Sequence, residues 1–478
     1  MNPTDSPAAT AQTALPAYRG QSQVKIILVL MLVYTFNYMD RVIFASVGEA
    51  VKEDLALTDL QLGLLGGLAF AAFYTLFGLP LARLAERFNR VGIIAVCVAV
   101  WSAMTALCGT AMAYWQLLLF RMGVGIGEAG FTPTVVSLIS DYFKPNRRAT
   151  AYSVIILAVP IGSFLAAALG GWIVENFGWR TVFFVIGPPG MLLGLLTWFA
   201  LREPPRGHSD GKLDQDPVPP LREVLPYLWR KSAFVHLTLG AAIIGFVAYG
   251  NNFFLMPFLV RNFDLDHAQA GMILGIILGV SAAVGTLSGG LLSDWAGRHN
   301  LRWYAWLPAI GLVGSWPFYV LALFQQSLVP AVVLMVIGSI TFYAFLPTTQ
   351  TVTQGLVRPK MRASTSAIHG LASAMLGLGA GPVFLGWASD FFAGRAFAGL
   401  VSGGDFAVTC QGEDMASLAA EVAGACGAAS AEGIQFAMVT ASLGLLWAAA
   451  HYLRAARSLR DEVVSPYLEG KATSVGPD

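Results

Sequence analysis

The sequence has little charge. Asp, Glu, Lys and Arg make up 12% of its 478 residues, whereas 56% of the residues are hydrophobic. A soluble domain typically carries about 25% charged residues, so this composition excludes an ordinary soluble protein. The formal net charge is +1 and the basic residues form no broad patch, which argues against nucleic acid as a partner.

Catalytic motifs are also missing. The sequence contains no P-loop, no HExxH and no dense cluster of His, Cys and Asp. Nucleotide-driven, zinc-dependent and acid–base chemistry each depend on such groups, so we expect no enzyme, no metal site, no cofactor and no drive by ATP. A receptor is the remaining alternative from another class, in which the central loop 201–231 would bind a partner.

Cysteine is scarce, with four residues in the chain. Cys97 and Cys108 lie in one apolar run and are expected to be inert core thiols. Cys410 and Cys426 lie in a polar segment rich in Gly and Ala, where a disulfide is allowed if that segment faces an oxidising compartment.

Long apolar runs fill the rest of the chain. A membrane-spanning helix needs about 20 mostly apolar residues, and twelve segments meet this requirement. The sequence therefore predicts an all-α integral membrane protein with twelve transmembrane helices. Their approximate spans are 24–47, 58–82, 91–111, 114–140, 148–173, 180–200, 233–260, 268–293, 302–324, 328–350, 363–388 and 433–453.

The placement of Lys and Arg predicts the topology. If both termini are cytoplasmic and the helices alternate in direction, 23 of the 29 Lys and Arg residues fall in cytoplasmic segments and four in outer loops. This asymmetry follows the positive-inside rule. It places Cys410 and Cys426 outside the membrane. The compact loops indicate a multi-pass protein of the cell (inner) membrane of a bacterium.

Two internal matches divide the chain into halves. ARLAERFNR (82–90) matches GLLSDWAGR (290–298), and KPNRRAT (144–150) matches RPKMRAS (358–364). Two repeated six-helix halves are a known transporter architecture, with the substrate site between them. The predicted organisation is a disordered tail at 1–22, a first bundle at 23–200, a cytoplasmic central loop at 201–231 with a short surface helix around LREVLPYLWRK, a second bundle at 232–455 with an external loop at 389–432, and a tail at 456–478.

These motifs resemble those of the major facilitator superfamily, and the resemblance covers nearly the whole chain. GLLSDWAGR is similar to that superfamily's loop signature, and the first-half copy departs from it at Ala82, Glu86 and Asn89. RMGVGIGEAG (121–130) resembles the fourth-helix signature. AVPIGSFLAAALGG (158–171) resembles the fifth-helix signature of antiporters, with Val159 in place of the expected glycine. The resemblance implies a secondary active transporter that works by alternating access.

Within the superfamily, NYMDR (37–41) and GIGEAGFTPTVVSLISDYFKPNRR (125–148) look like the spinster family. Spinster proteins are proposed exporters of lipid-like amphiphiles, including phosphorylated sphingoid bases and lysophospholipids. The resemblance therefore implies an amphiphilic, lipid-like substrate, which the residues alone do not identify. An exporter of drugs or small metabolites is the alternative, because the same cavity would serve it.

Four charged residues lie well inside the predicted spans, namely Asp40, Arg41, Arg121 and Glu128. A charge near the bilayer centre costs about 2.5–3.5 kcal/mol on insertion scales, so such residues usually mark substrate or proton pathways. Glu128 is the first candidate for proton coupling and Asp40 the second. A deprotonated Glu128 would pair with Arg41 or Arg121, and protonation would free that arginine for an anionic headgroup. A purely structural ion-pair cluster and coupling to sodium are the alternatives.

Two larger groups are candidates for substrate binding and for gating. Besides the two arginines, polar residues of the first, seventh and tenth helices are expected to line the cavity: Asn37, Tyr38, Asn251, Asn252 and Tyr343. The family resemblance implies that charges near cytoplasmic helix ends lock an inner gate, although basic residues there also enforce topology. These are Glu86, Arg87, Arg90, Asp141, Arg148, Asp294, Arg298 and Arg362. The expected protein is a monomer whose partners are protons, a small amphiphile and the lipid bilayer.

Overall fold

A computed structural model describes residues 21–143, 145–205, 220–357, 361–401, 404–411 and 419–464. Most of the two predicted tails and part of the central loop lie outside these ranges. The described residues form helices, and twelve of these are long and apolar enough to cross a membrane. The all-α fold with twelve spans is therefore confirmed. A helix suits this setting because it satisfies its own backbone hydrogen bonds where lipid offers none.

The spans are numbered along the chain. The central loop contributes one further helix, Leu221–Trp229, at the position of the predicted surface helix. The twelve spans are α1 (Gln23–Asp54), α2 (Asp59–Ala85), α3 (Arg90–Cys108), α4 (Tyr114–Tyr142), α5 (Val154–Phe177), α6 (Trp179–Ala200), α7 (Ser232–Phe263), α8 (His267–Gly297), α9 (Trp303–Leu323), α10 (Leu328–Gly355), α11 (Ser364–Leu400) and α12 (Ala420–Glu462).

Local sequence explains where several spans begin and bend. Thr58 and Gln61 form a capping box at the start of α2, in which each side chain accepts a hydrogen bond from the other residue's backbone N–H. Asn89 and Asp266 cap α3 and α8 through their side chains. The spans α8 and α11 each contain a π-helical segment, an irregularity that is frequent at functional sites.

The predicted extent of the external loop, residues 389–432, is wrong. Helix α11 continues to Leu400 and α12 already begins at Ala420, with a short helix at Phe406–Cys410 between them. The Gly and Ala content suggested a loop, but alanine is the strongest helix former, and helices can project beyond the apolar run. Cys410 and Cys426 are joined in a disulfide within this projecting region.

The two ends of the helical bundle differ in how the halves meet. We call the end that carries the disulfide the disulfide end, and the opposite end, which carries the central loop, the loop end. Toward the disulfide end, the first part of α2 packs on α11, and α5 packs on α8. Small residues allow this approach. A Cβ added to Gly171 of α5 would lie 2.2 Å from the carbonyl oxygen of His267, and one added to Gly386 of α11 would lie 2.1 Å from that of Asp59.

This close approach generates a first prediction. The substitution Gly171→Val is expected to push α5 away from α8 at the disulfide end, because overpacking a tight contact costs about 1–3 kcal/mol. Cysteines placed at Glu175 and His267, whose side chains meet across this interface at 3.4 Å, should then cross-link more slowly with a short bifunctional reagent.

The matched control is Gly78→Val, because a Cβ at Gly78 has no atom within 4 Å. Equal cross-linking rates in the two valine variants would contradict the assignment of Gly171 as a contact that brings the halves together.

Candidate functional site

The centre of the candidate site is an ion pair between α1 and α4. The Arg41 Nε donates to Glu128 Oε2 at 2.6 Å, and the Glu128 side chain is fully buried while that of Arg41 is 17% exposed. The Arg41 guanidinium also lies 4.8 Å from the centre of the Tyr74 ring and 5.5 Å from that of Tyr38. Of the two arginines expected as partners of Glu128, the structure therefore selects Arg41.

Asp40 occupies the neighbouring position but points elsewhere. Its Oδ2 accepts a hydrogen bond from the Thr105 hydroxyl of α3, and its buried Oδ1 has no hydrogen-bond partner among the described residues. Successive helical residues point about 100° apart, which is why Asp40 and Arg41 do not pair with each other. The charged groups around Asp40 are Glu128, Arg121 and Arg41. The structure thus brings all four predicted intramembrane charges together.

Arg121 is the unusual member of this group. It is 2% exposed, and no carboxylate among the described residues lies within ion-pairing distance of its guanidinium. Its Nε donates to the carbonyl oxygen of Leu65 at 3.5 Å, and its guanidinium lies 4.8 Å from the Phe44 ring centre and 5.5 Å from that of Phe70. A buried cation held mainly by aromatic faces retains donors for an anion.

The predicted cavity residues divide into three groups. Tyr38 stacks on Tyr34 beside Arg41, with ring centres 5.6 Å apart. Asn252 donates to the Tyr343 hydroxyl at 3.2 Å, which joins α7 to α10. Two further side chains are buried: Asn251 keeps its amide oxygen without a hydrogen-bond partner in the described part of the chain, and Asn37 lies beside the Glu128 carboxylate.

The aromatic residue Tyr249 of α7 shows where the halves approach this centre. It lies near Arg41 and Tyr74 of the first half. Its side chain is 43% exposed. The Arg41 side of the site therefore faces a space between the halves rather than the interior of one half.

A second charge cluster, at the disulfide end, was not predicted as a site. Arg261 of α7 binds Glu49 of α1 and Asp59 of α2 through two bidentate contacts of 2.6–2.8 Å. Lys52 pairs with Asp59 at 2.6 Å, and Ser389 of α11 donates to Asp59 Oδ2 at 2.6 Å. We call these five residues the disulfide-end seal. It joins the two halves, and bidentate arginine–carboxylate geometry makes it strong and specific.

The sequence signal for this seal is a charge just beyond the end of an apolar run. The predicted first and seventh spans end at residues 47 and 260, which leaves Lys52 and Arg261 in outer loops. Instead, α1 continues to Asp54 and α7 to Phe263, so the charges of their last turns are drawn into the interface between the halves.

The predicted gating residues at the loop end fall into separate arrangements. Arg90 is 1% exposed and binds Asp141 and Glu203, the latter at 2.7 Å, all within the first half. Asp294 accepts from the Tyr304 hydroxyl within the second half. Two of the predicted arginines have exposed side chains, namely Arg87 and Arg298. The side chains of the remaining three lie outside the described part of the structure, namely Glu86, Arg148 and Arg362.

The described residues contain no group of three or more His, Cys, Asp and Glu that could hold a metal ion. One carboxylate can exchange an arginine for a proton, and a nearby buried arginine can accept an anion.

Comparison with known proteins defines the class. The model of the Major Facilitator Superfamily matches residues 30–382. The chain is 30% identical to an MFS-type efflux pump of Mycolicibacterium smegmatis, over 76% of this chain and 83% of that protein. It is 28% identical to Protein spinster homolog 1 of Homo sapiens, over 76% of this chain and 72% of that protein. The chain thus belongs to the major facilitator superfamily and is a transporter rather than an enzyme.

Solved structures narrow the class further. A bacterial homologue of the human lysosomal transporter Spinster, solved in an inward-facing and unoccupied conformation, is 36% identical, with a TM-score of 0.84. The match covers 93% of this chain and 99% of that one. The same homologue in an inward-facing and occupied conformation gives a TM-score of 0.82. Within the superfamily the protein is of the spinster type, and its predicted localisation as a multi-pass inner-membrane protein is confirmed.

The central ion pair generates a second prediction. The substitution Arg41→Ala is expected to lower the free energy of unfolding by about 3–5 kcal/mol, because it leaves the Glu128 carboxylate buried without its partner. A thermal-unfolding measurement in detergent should show a clear fall in the melting temperature. The double substitution Arg41→Ala with Glu128→Ala should recover part of the loss.

The control is Arg87→Ala, since Arg87 is an exposed arginine. The ion pair would not be a structural element of the site if Arg41→Ala unfolded at the same temperature as this control.

Proposed function

We propose that the protein is a proton-coupled transporter that moves an anionic, lipid-like amphiphile by alternating access. The observation that carries the proposal is the Arg41–Glu128 pair lying in one cluster with the buried Arg121, which forms no ion pair with a described carboxylate. Ionisable residues inside membrane helices mark substrate or proton paths. A site with one ion pair that a proton can break and one further buried cation has the groups needed for a proton path and for binding an anionic substrate.

The coupling step follows from competition for Glu128. In its charged form this carboxylate holds the Arg41 guanidinium at 2.6 Å. When it takes up a proton, the ion pair loses its negative partner and Arg41 becomes available to another anion. Asp40 is the second candidate carrier because its carboxylate is buried and one of its oxygens accepts no hydrogen bond from the part of the chain that the structure describes.

The substrate class follows from what surrounds the two arginines. Their guanidinium groups lie over the rings of Tyr38, Phe44, Phe70 and Tyr74 at 4.8–5.6 Å. Cations offered by an apolar, aromatic surface suit a molecule with an anionic head and an apolar tail. A relative from Danio rerio, 27% identical over 74% of this chain, is named a sphingosine-1-phosphate transporter, and a sphingoid phosphate combines an anionic head with an apolar tail.

The orientation and the conformational state form part of the proposal. The excess of Lys and Arg at the loop end supports a cytoplasmic position for that end and for both termini. A disulfide at the opposite end suits an oxidising compartment. Cross-half ion pairs close the disulfide end, so the present structure corresponds to the inward-facing state of the cycle.

Export of drugs or small metabolites is the second candidate. The observation in its favour is the similarity to an MFS-type efflux pump, which covers 83% of that protein. Many drugs are amphiphilic as well, and the aromatic lining would accept them. A planar or cationic drug would make less use of the unpaired Arg121 than a phosphate head does.

Transport by purified protein in liposomes tests the proposal. Labelled lysophospholipids and sphingoid phosphates should move faster under an imposed pH gradient than without one. The substitution Glu128→Gln is expected to abolish the gradient-driven component, because an amide neither takes up a proton nor forms the ion pair with Arg41.

The matched control is Glu223→Gln, which makes the same change on the exposed face of the central-loop helix. Full gradient-driven transport by Glu128→Gln would contradict the coupling role of this residue. Movement of drugs but of no lipid by the wild type would favour the second candidate.

A further inference from the structure

The region around the disulfide forms a small lobe beyond the membrane-spanning helices. It consists of the end of α11, the helix Phe406–Cys410 and the start of α12. Its core contains Phe397, Phe406, Ala429 and the two bonded cysteines. We call this region the disulfide lobe. The bond ties the end of the short helix to α12. It therefore restrains the position of Gln411, the residue that follows Cys410.

That next residue connects the lobe to α11. The side-chain Nε2 of Gln411 donates to Oδ1 of Asp390 at 2.9 Å. Asp390 lies one position after Ser389, whose hydroxyl belongs to the disulfide-end seal. The disulfide lobe is therefore one hydrogen bond away from the contact between the halves.

Asp390 in turn binds the first half. Its two carboxylate oxygens accept the backbone N–H groups of Asp59 and Leu60 at 3.1 and 2.8 Å. These N–H groups belong to the first turn of α2, which has no partner for them within the helix. The N-terminus of a helix carries partial positive charge and stabilises an anion. A carboxylate of the second half thus caps a helix of the first half.

This cap places two acids near each other. The Asp59 carboxylate is balanced by Arg261 and Lys52. The Asp390 carboxylate, in contrast, makes no ion pair among the described residues: it accepts hydrogen bonds from the two backbone N–H groups and from the Gln411 amide, and Lys52 acts on it from a greater distance. Loss of any of these donors therefore weakens the cap directly.

We propose that Asp390 and Gln411 are positioning residues for the disulfide-end seal. The disulfide lobe holds Gln411, Gln411 holds Asp390, and Asp390 holds the start of α2 against α11. The arrangement favours the state that is closed at the disulfide end, because opening that end separates Asp390 from both N–H groups. The proposal rests on the alternating access proposed above, and it requires neither a particular substrate nor proton coupling.

Distance measurements by pulsed electron spin resonance in nanodiscs test this proposal without any substrate. Spin labels at Met112→Cys and Gln326→Cys report the separation of the halves, because both positions are exposed at the disulfide end. Cys97 and Cys108 are buried and unbonded, so they remain unlabelled. The wild type should show a dominant short distance that corresponds to the closed end.

The expected effect of Asp390→Asn is a rise in the ratio of open to closed molecules by about three- to thirtyfold, because removing a charge from a helix N-terminus has a cost of this order. Gln411→Ala should produce a smaller shift in the same direction. The control Glu421→Gln removes an acid from the same lobe, where Glu421 is exposed in the first turn of α12, and it should leave the distances as in the wild type. Unchanged distances in both Asp390→Asn and Gln411→Ala would overturn the proposal.

Removing the disulfide provides an independent test of the same proposal. The pair Cys410→Ser and Cys426→Ser should open the disulfide end to the same extent as Gln411→Ala. Combining the cysteine changes with Gln411→Ala should add little, because both act through one contact. If the changes in the ratio of open to closed molecules were fully additive, the disulfide would not act through Gln411, and this part of the proposal would be overturned. A single distance in the wild type under all conditions would instead contradict alternating access. That result would count against the proposed function, whereas unchanged distances in the variants would count against the role of Asp390 and Gln411.

Discussion

The structure depends on the cost of burying charge where water is absent. An ion inside the membrane-spanning bundle needs stabilisation by an opposite charge, by hydrogen bonds or by aromatic faces. Two clusters meet this requirement in different ways. Arg41 and Glu128 pair within the first half, whereas Arg261 joins Glu49 and Asp59 across the halves. In the proposed transport cycle, a proton or a substrate alters the first pair, and separation of the halves at the disulfide end breaks the second.

The distribution of ion pairs divides the molecule into two bodies. Among the described residues, each ion pair that joins the halves lies at the disulfide end. At the loop end, Arg90 binds Asp141 and Glu203 inside the first half, and Lys231 donates to the backbone of Glu462 inside the second. Each half is therefore held together by its own contacts at the loop end, as a movement of two rigid bodies requires.

Much of the fold and part of the site follow from the sequence. Twelve apolar runs predict twelve spans, and four charges within those runs predict a cluster. The choice of Arg41 over Arg121 as the partner of Glu128 depends on helix rotation, which spacing alone does not determine. The seal was missed because α1 and α7 extend beyond their apolar runs. The same limit explains loop 389–432, where alanine-rich helices project past the membrane-spanning segments. Sequence periodicity thus locates buried charges, while contacts between helix ends depend on the packed structure.

Infrared difference spectroscopy on acidification shows directly whether Glu128 takes up the proton, because a protonated carboxyl group has its own carbonyl band. Because the other acids of the chain also contribute to this region, we expect one component that appears in the wild type as pH falls, is missing from Glu128→Gln and persists in Glu223→Gln. An unchanged band in Glu128→Gln would contradict the account, because the proton would then be taken up elsewhere and the Arg41–Glu128 pair would be a structural contact only.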